Sequence, residues 1–279
     1  EESTALQKKL VLLAGGQNSY RAGRNITSDN QRASEQDMTG TLYGLGVGPG
    51  APDLLTLRAV NVLRTVDVIL AAASPRNDYS AALDTARPHL RADARLLRLE
   101  FPMTRDAGIL RAAWLKAAEA ARDVLEGGEN AAFLTIGDPL VYSTFGYLLR
   151  TLREVAPHLP VAIVPGITSF QAAAARTGTV LCEGGEKLRI LPGINGRDDL
   201  AAELDNADTA VILKAYRNFP AIREALQSTG RDADCLLASH VEQPEEHIRR
   251  GVAAVDSTPP YMSLIVSRKS KTGGEEGTR

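Results

Sequence analysis

Short apolar runs alternate with stretches of helical periodicity from residue 41 onward. The runs predict β-strands at TLYGLGV (41–47), DVILAA (67–72), RLLRLEF (95–101) and AAFLTI (131–136). Apolar residues recur at helical spacing in PDLLTLRAVNVLRTV (52–66), AGILRAAWLKAAEAARDVLEGG (107–128) and YSTFGYLLRTLREV (142–155). Because strands and helices alternate, we predict that the first half is an α/β domain with a mostly parallel sheet.

The second half has shorter crossovers and denser turns, which predict a mixed sheet. Its predicted strands are LRILPG (188–193), TAVILKAY (209–216), DCLLASHV (234–241) and YMSLIVSRK (261–269). Its predicted helices are TSFQAAAARTG (168–178), RDDLAAEL (197–204) and FPAIREALQSTG (219–230). The proline-containing segment APHLPVAIVPG (156–166) is interpreted as the hinge between the two halves. We therefore predict an N-terminal α/β domain over 38–158 and a C-terminal α/β domain over 159–270.

The two ends of the chain lack this patterning. Residues 1–37 are polar and show little periodicity, which predicts a poorly ordered extension. Met38 opens the regular pattern, so we expect the functional chain to begin there and the preceding residues to be dispensable. Residues 271–279 read as a solvated tail.

Composition narrows the function classes. The chain has 279 residues, of which 44% are apolar and 24% charged, as in water-soluble globular proteins. A net charge of −2 gives no reason to expect a nucleic-acid or membrane partner, and no apolar run approaches the length of a membrane span. Cys182 and Cys235 match no metal or redox spacing, which suits a cytoplasmic location. The four histidines lack a second ligand at metal-binding spacing, so we expect no metal site.

The first candidate loop, GVGPGA (46–51), resembles a dinucleotide fingerprint. Gly46, Gly48 and Ala51 fit the G-x-G-x-x-G/A pattern, and Asp67 follows at about the distance of a ribose-binding acid. Pro49 and Pro52 count against this interpretation, because each removes a backbone N–H that a pyrophosphate would need. Asp67 also precedes its apolar run rather than following it. A nicotinamide-dependent oxidoreductase stays open as an alternative.

Two further loops follow apolar runs. In the second loop, TIGDPLVYST (135–144), Gly137 permits close backbone approach and Asp138 offers a carboxylate to a ligand, although an ordinary turn would use the same residues. In the third loop, VPGIT (164–168), Thr168 has capping-box spacing to Gln171, so it caps a helix, binds a ligand, or does both. Ligands of parallel sheets bind beyond the carboxyl ends of the strands, where we expect all three loops to lie.

In order and spacing, GVGPGAPDLLTLRA, TIGDPLVYSTFGYLL and VPGITSFQAAAARTG resemble the tetrapyrrole methylase family of S-adenosylmethionine-dependent methyltransferases. The resemblance covers about 41–267. With LCEGGEKLRILPG and PYMSLIVSRK, it is strongest to the members that methylate carbon 20 of precorrin-2 or cobalt-factor II in cobalamin synthesis. The family's usual GPGDP departs here, because Ala51 stands in place of the acid and Asp53 is not an obvious substitute.

The resemblance implies a two-domain homodimer that binds S-adenosylmethionine in its cleft, with a tetrapyrrole as methyl acceptor and no metal of the protein's own. The donor-binding residues that it implies are Pro49, Gly137, Asp138, Val141, Thr168, Ser169, Lys214, Tyr261 and Ser263. A base is also needed for the proton that leaves carbon 20, and Asp138, Tyr142 and Glu183 are the candidates. The acceptor is a polycarboxylate, so basic side chains are expected in the cleft, with Arg76, Arg105 and Arg217 as candidates. The resemblance leaves open the metal state of the acceptor and a different ring position as the methylation site.

Overall fold

The computed structural model describes residues 39–73, 80–193, 196–253 and 255–269. The predictions for residues 1–37 and 271–279, for Met38 and for Arg76 lie outside the described residues. Within the described part, the chain forms two five-stranded sheets, each flanked by helices. The predicted α/β class, with one parallel and one mixed sheet, is confirmed.

The first sheet is parallel throughout. Its strands lie in the order β3-β2-β4-β1-β5, with bounds β1 (Leu42–Gly46), β2 (Val68–Ala73), β3 (Arg95–Glu100), β4 (Ala131–Thr135) and β5 (Val161–Val164). The strands β1 and β4 are apolar and almost fully buried, as expected of central strands that are covered on both faces. Parallel register aligns all five carboxyl ends along one edge of the sheet.

Four helices accompany this sheet. Their bounds are α1 (Leu57–Leu63), α2 (Ala81–Ala86), α3 (Ala107–Glu126) and α4 (Phe145–Val155). The helix predicted over 52–66 is divided, because Pro52 opens a short 3-10 turn and Thr56 starts α1 by accepting a hydrogen bond from the backbone of Ala59. The short helix α2 was not predicted, because it is too short to show a clear apolar period.

The segment 156–166, interpreted as a hinge, contains a strand of the first sheet. Val161–Val164 pairs in parallel with β1, from Leu42 opposite Val161 to Leu45 opposite Val164. The predicted boundary between residues 158 and 159 therefore lies ahead of the last strand of this sheet. The prolines at both ends of the segment bound an edge strand, where a missing N–H costs little.

The second sheet is mixed and lies in the order β6-β7-β10-β8-β9. Its strands are β6 (Leu188–Pro192), β7 (Thr209–Leu213), β8 (Leu236–Ser239), β9 (His247–Arg250) and β10 (Ser263–Arg268). The helices that follow loop 3 and cover this half are α5 (Ser169–Thr177), α6 (Arg197–Asp205) and α7 (Phe219–Ser228). The polar edge strand β9 was not predicted, because HIRR carries no apolar alternation.

Candidate functional site

The three loops converge at a junction of glycine backbones. A Cβ atom placed on Gly46 would lie 2.6 Å from both the carbonyl oxygen of Gly137 and the amide nitrogen of Gly166. Likewise, a Cβ on Gly166 would overlap the Gly137 carbonyl oxygen. The amide of Gly137 donates to the carbonyl oxygen of Gly48 at 2.7 Å, which ties the second loop to the first. Only glycine permits this approach, so the junction explains Gly46 and Gly166.

Gly137 differs from its two neighbours in the junction. Its φ of +73° lies in the left-handed region, but a Cβ there would meet nothing closer than the Cα of Thr168 at 3.8 Å. A Cβ at Gly137 would therefore meet the third loop only at ordinary van der Waals distance, without the overlap found at Gly46 and Gly166. This is where a ligand could lie against the bare backbone.

The carboxylate of Asp138 anchors the second loop. Its Oδ1 accepts a hydrogen bond from the amide of Leu140 at 2.8 Å, and its Oδ2 accepts one from the amide of Gly166 at 3.1 Å. The first bond forms the ordinary Asx turn that the sequence also allowed, and the second joins the loop to the third loop. Both oxygens of Asp138 thus have backbone partners in this structure.

The side chains of Pro49, Val141, Thr168 and Ser169 surround this junction. Pro49 is buried in the first loop, and Val141 packs against the apolar cluster around Phe170. Thr168 forms the predicted capping box: its Oγ1 accepts from the amide of Gln171, whose Oε1 accepts from the amide of Thr168. Ser169 is the first residue of α5, so the helix starts directly at the third loop.

Backbone strain is concentrated on the loops of the second sheet and on the second loop. The non-glycine residues with positive φ in the described ranges are Tyr142, Lys214, His240 and Glu242. Each follows a strand: Tyr142 follows β4, Lys214 follows β7, and the other two follow β8. A bulky residue in this region costs about 1–3 kcal/mol, and such strain is often stored at functional sites.

Tyr142 and Lys214 join the second loop to the second sheet. The hydroxyl of Tyr142 donates to the carbonyl oxygen of Ile190 in β6 at 3.2 Å, and the Nζ of Lys214 lies 3.5 Å from the carbonyl oxygen of Tyr142. Desolvation and, to a smaller extent, the charge of Arg217 lower the pKa of Lys214 below its ordinary value. The two strained residues thus share a contact where the halves of the molecule meet.

Ser263 and Tyr261 lie at the same end of the second sheet as Lys214. Leu264 pairs with Leu213, so Ser263 and Lys214 extend this pairing by one residue on each strand. Ser263 is 4% exposed, and its Oγ has no hydrogen-bond partner among the described residues. The ring of Tyr261 contacts that of Tyr216, with centroids 5.1 Å apart. This end of the sheet therefore carries three of the predicted donor-binding residues.

Glu183 does not lie at this end of the second sheet. It is exposed in the turn ahead of β6, where Glu186 pairs with Arg268 at the carboxyl end of β10. Because β10 runs antiparallel to β7, that turn lies at the opposite end of the second sheet from Ser263. The structure thus separates Glu183 from Asp138 and Tyr142, the other two proton-acceptor candidates. Arg105 is also exposed, and no described contact links it to the loops.

A fourth loop, residues 240–246, joins the first loop to α5 and was not predicted from the sequence. The Nε2 of Gln243 donates to the carbonyl oxygen of Pro49 at 3.2 Å, and the carboxylate of Glu246 pairs with Arg176 of α5 at 2.8 Å. Its sequence, HVEQPEE, has no glycine and no apolar period, so the only signal was Pro244 after a strand.

Asp67 has a structural role at the other edge of the first sheet. Its Oδ2 accepts from the amide of Asn130 at 2.9 Å, and its Oδ1 pairs with Arg91 at 3.2 Å. It precedes β2 and so lies at the amino end of the strands, away from the three loops. Asp67 therefore cannot reach a ligand at the carboxyl ends, as a dinucleotide site would require.

The described residues contain neither a metal-binding cluster nor a helix that could span a membrane. No group of three His, Cys, Asp or Glu side chains is arranged to hold a metal ion in the described ranges. None of the helices in this part of the chain combines the length and the apolar character needed to cross a bilayer.

Comparison with known families decides between the alternatives. The model of the tetrapyrrole (corrin/porphyrin) methylases matches residues 41–255, which include the first, second, third and fourth loops. The chain belongs to this family. It is an S-adenosylmethionine-dependent tetrapyrrole methyltransferase, as the resemblance of the loops implied. The alternative of a nicotinamide-dependent oxidoreductase is wrong.

Relatives and solved structures agree with this assignment. The chain is 34% identical over 234 residues to the cobalt-precorrin-2 C(20)-methyltransferase of Salmonella typhimurium, covering 83% of this chain and 98% of the relative. It is 32% identical over 237 residues to the precorrin-2 C(20)-methyltransferase of a Sinorhizobium species, covering 81% and 94%. The uroporphyrin-III C-methyltransferase of Thermus thermophilus, solved with S-adenosylhomocysteine, shares the fold with a TM-score of 0.58 and 24% identity, covering 82% of this chain and 98% of its own.

Proposed function

We propose that this protein methylates carbon 20 of precorrin-2 or of its cobalt-containing counterpart in cobalamin biosynthesis. The observation that carries the proposal is the likeness to two methyltransferases named for that position, which spans almost the whole length of each. The two relatives are named for acceptors that differ in cobalt, and the cobalt would arrive with the acceptor rather than with the protein. Methylation at another position of a related tetrapyrrole is the second candidate, because other members of the fold act on other tetrapyrroles.

The geometry of the glycine junction fits a bound methyl donor. Gly137 carries no side chain between the second loop and Thr168, so a ligand beside it would lie against the backbone of the second and third loops. Pro49, Asp138, Val141 and Ser169 line the same junction and complete this part of the proposed donor site. Tyr261, Ser263 and the backbone of Lys214 are proposed to bound it from the second sheet, where the unpartnered Oγ of Ser263 would hydrogen-bond to the methyl donor.

The main requirement of methyl transfer is the alignment of the methyl group with the macrocycle carbon. Bound S-adenosylmethionine supplies a methyl group that its sulfonium makes strongly electrophilic. The residues of this chain would hold the macrocycle carbon in line with that group and keep water out, and such alignment is worth roughly 7–11 kcal/mol. The rigid glycine junction and the bonded carboxylate of Asp138 suit this positioning role.

Asp138 and Tyr142 are the proton acceptors that we propose, and both lie on the second loop. Each oxygen of Asp138 accepts one backbone hydrogen bond, and a carboxylate oxygen keeps a second lone pair for an incoming proton. The side chain of Tyr142 is about half exposed (48%), and its hydroxyl donates to the Ile190 carbonyl oxygen, so Tyr142 would accept a proton only as the phenolate and after giving up that bond. Glu183, the third candidate, lies in the turn at the opposite end of the second sheet from Ser263.

Two properties of the whole protein belong to the same proposal. The family resemblance supports a homodimer, which light scattering coupled to gel filtration would detect as twice the mass of the 279-residue chain. A cytoplasmic location is supported by two free cysteines in the described part of the chain, one of them exposed.

Methyl transfer from labelled donor tests the function directly. The protein is incubated with methyl-labelled S-adenosylmethionine and either precorrin-2 or its cobalt-containing counterpart, and the product is analysed by NMR. We expect label at carbon 20 with at least one of the two acceptors. Label at another ring carbon would support the second candidate, and binding of S-adenosylhomocysteine without transfer to either acceptor would contradict both.

A further inference from the structure

Two cationic residues belong to the one tight turn that follows β7. Lys214 caps this 3-10 turn, Ala215–Asn218, and Arg217 is its third residue, with its amide donating to the carbonyl oxygen of Lys214 at 3.1 Å. Desolvation and, to a smaller extent, the charge of Arg217 lower the pKa of Lys214. Neither side chain has a carboxylate within ion-pair distance among the described residues, whereas Arg91, Arg176 and Arg268 each pair with one.

Neutral oxygens are the only described partners of this pair. The Nζ of Lys214 lies 3.5 Å from the carbonyl oxygen of Tyr142, and the Nε of Arg217 donates to the hydroxyl of Tyr216 at 3.1 Å. The guanidinium also sits 5.9 Å from the ring centroid of Tyr216, whose other neighbour is Tyr261. The Tyr216 ring and hydroxyl thus hold Arg217 in place without neutralising it.

Holding two like charges together is unfavourable unless an anion joins them. Lys214 is also half-buried, so it has lost part of its hydration, and its backbone is in the strained left-handed region with φ of +56°. Burial, repulsion and strain at one residue all oppose the observed arrangement. A bound carboxylate would offset the first two, since charge-assisted hydrogen bonds to a carboxylate are about twice as strong as neutral ones.

We propose that Lys214 and Arg217 form a binding site for a carboxylate side chain of the tetrapyrrole acceptor. The site rests on the proposed function, since it supplies the polycarboxylate, and it assigns the Lys214 ammonium to the acceptor rather than to the methyl donor. The contact between Lys214 and Tyr142 places the pair beside one of the two proposed proton acceptors. A carboxylate bound there would fix the orientation of the ring relative to Tyr142 and so help determine which carbon is methylated.

The test separates acceptor binding from donor binding. Lys214→Met and Arg217→Gln are compared with the unaltered protein by fluorescence titration with uroporphyrin, an octacarboxylate, and by calorimetric titration with S-adenosylhomocysteine. We expect the dissociation constant for uroporphyrin to rise about 10- to 100-fold in each variant, as for loss of a charged hydrogen bond. Affinity for S-adenosylhomocysteine should stay within about twofold of that of the unaltered protein. The conservative variant Lys214→Arg keeps the positive charge, so it should keep most of the affinity for uroporphyrin.

A matched control uses another exposed arginine. Arg197 lies in the first turn of α6 and forms an exposed ion pair with its neighbour Asp198, so Arg197→Gln should leave both affinities unchanged. Unchanged uroporphyrin affinity in both site variants overturns the carboxylate site. Loss of S-adenosylhomocysteine affinity in Lys214→Met also overturns it and returns Lys214 to the donor. Absence of methyl transfer by the unaltered protein contradicts the proposed function instead, and leaves the uroporphyrin comparison as a separate result.

Discussion

At the scale of single residues, Gly137 and Gly128 present the same backbone problem in different surroundings. Both have left-handed φ values, +73° and +83°, so a side chain at either position is strained. Gly137 lies at the carboxyl end of β4 in the loop junction, whereas Gly128 follows α3 and precedes the amino end of β4. The same substitution at the two positions therefore separates the effect of backbone strain on stability from the effect of a side chain on ligand binding.

Gly137→Val is expected to abolish measurable binding of S-adenosylhomocysteine, because the branched side chain would extend beyond a Cβ that already contacts Thr168 at 3.8 Å and would enter the proposed donor site. Gly128→Val should keep near-native affinity. Both variants should lose about 1–3 kcal/mol of unfolding free energy from strain, which a typical margin of roughly 5–15 kcal/mol tolerates. Calorimetric titration and thermal melts measure the two effects. Near-native affinity in folded Gly137→Val would show that the donor binds elsewhere.

Part of this residue-scale detail was accessible from sequence. The glycines, the capping box of Thr168 and the anchoring turn of Asp138 follow from local rules of backbone geometry. The positive φ of Tyr142 and Lys214 does not, because such strain is imposed by tertiary contacts and contradicts the preference of the residues themselves. The separation of Glu183 from Tyr142 also depends on the direction of the strands in the second sheet, which the sequence around Glu183 does not indicate.

At the scale of elements, the strands and long helices were predictable because burial leaves apolar runs in the strands and a helical period of apolar residues in the helices. The short helix α2 and the polar strand β9 were not, since neither buries enough apolar residues to leave a pattern. The fourth loop, 240–246, was missed for a related reason. Its contacts join positions almost two hundred residues apart, and nothing local in its sequence indicates them.

Gln243→Ala tests whether the fourth loop positions the first. The substitution removes the hydrogen bond from Nε2 to the Pro49 carbonyl oxygen, so the first loop should become less ordered. We expect affinity for S-adenosylhomocysteine to fall about 2- to 12-fold, which corresponds to the roughly 0.5–1.5 kcal/mol of a neutral hydrogen bond. Gln227→Ala, at an exposed position of α7, is the control and should bind normally. Equal affinity in the two variants would remove Gln243 from the donor site.

At the scale of the whole molecule, the mixed character of the second sheet was predictable from crossover length, but the extent of the first sheet was not. A strand beside prolines reads as a linker until its pairing partner is known, and the partner of β5 is the first strand, β1. The described structure also shows how the chain is held ahead of β1. The amide of Gly40 donates to Leu125, and the amide of Thr41 donates to the side chain of Asn130.

A chain that begins at Met38 should therefore fold and bind S-adenosylhomocysteine as the full chain does. All four loops and both sheets lie between residues 39 and 269, and the anchoring bonds of Gly40 and Thr41 are retained. Thermal melts and calorimetric titration of the two chains provide the comparison. A large fall in melting temperature or in affinity on truncation would assign a structural role to residues 1–37.

The position of β1 between β4 and β5 has a consequence for synthesis on the ribosome. This apolar strand emerges well before its two partners, which follow about a hundred residues later. At typical translation rates, both of its edges stay without their native neighbours for on the order of ten seconds. During that interval the nascent chain presents an unpaired hydrophobic strand, which is the kind of segment that chaperones bind and that misassembles at high expression. Slower initiation or lower temperature should accordingly raise the soluble yield of this protein.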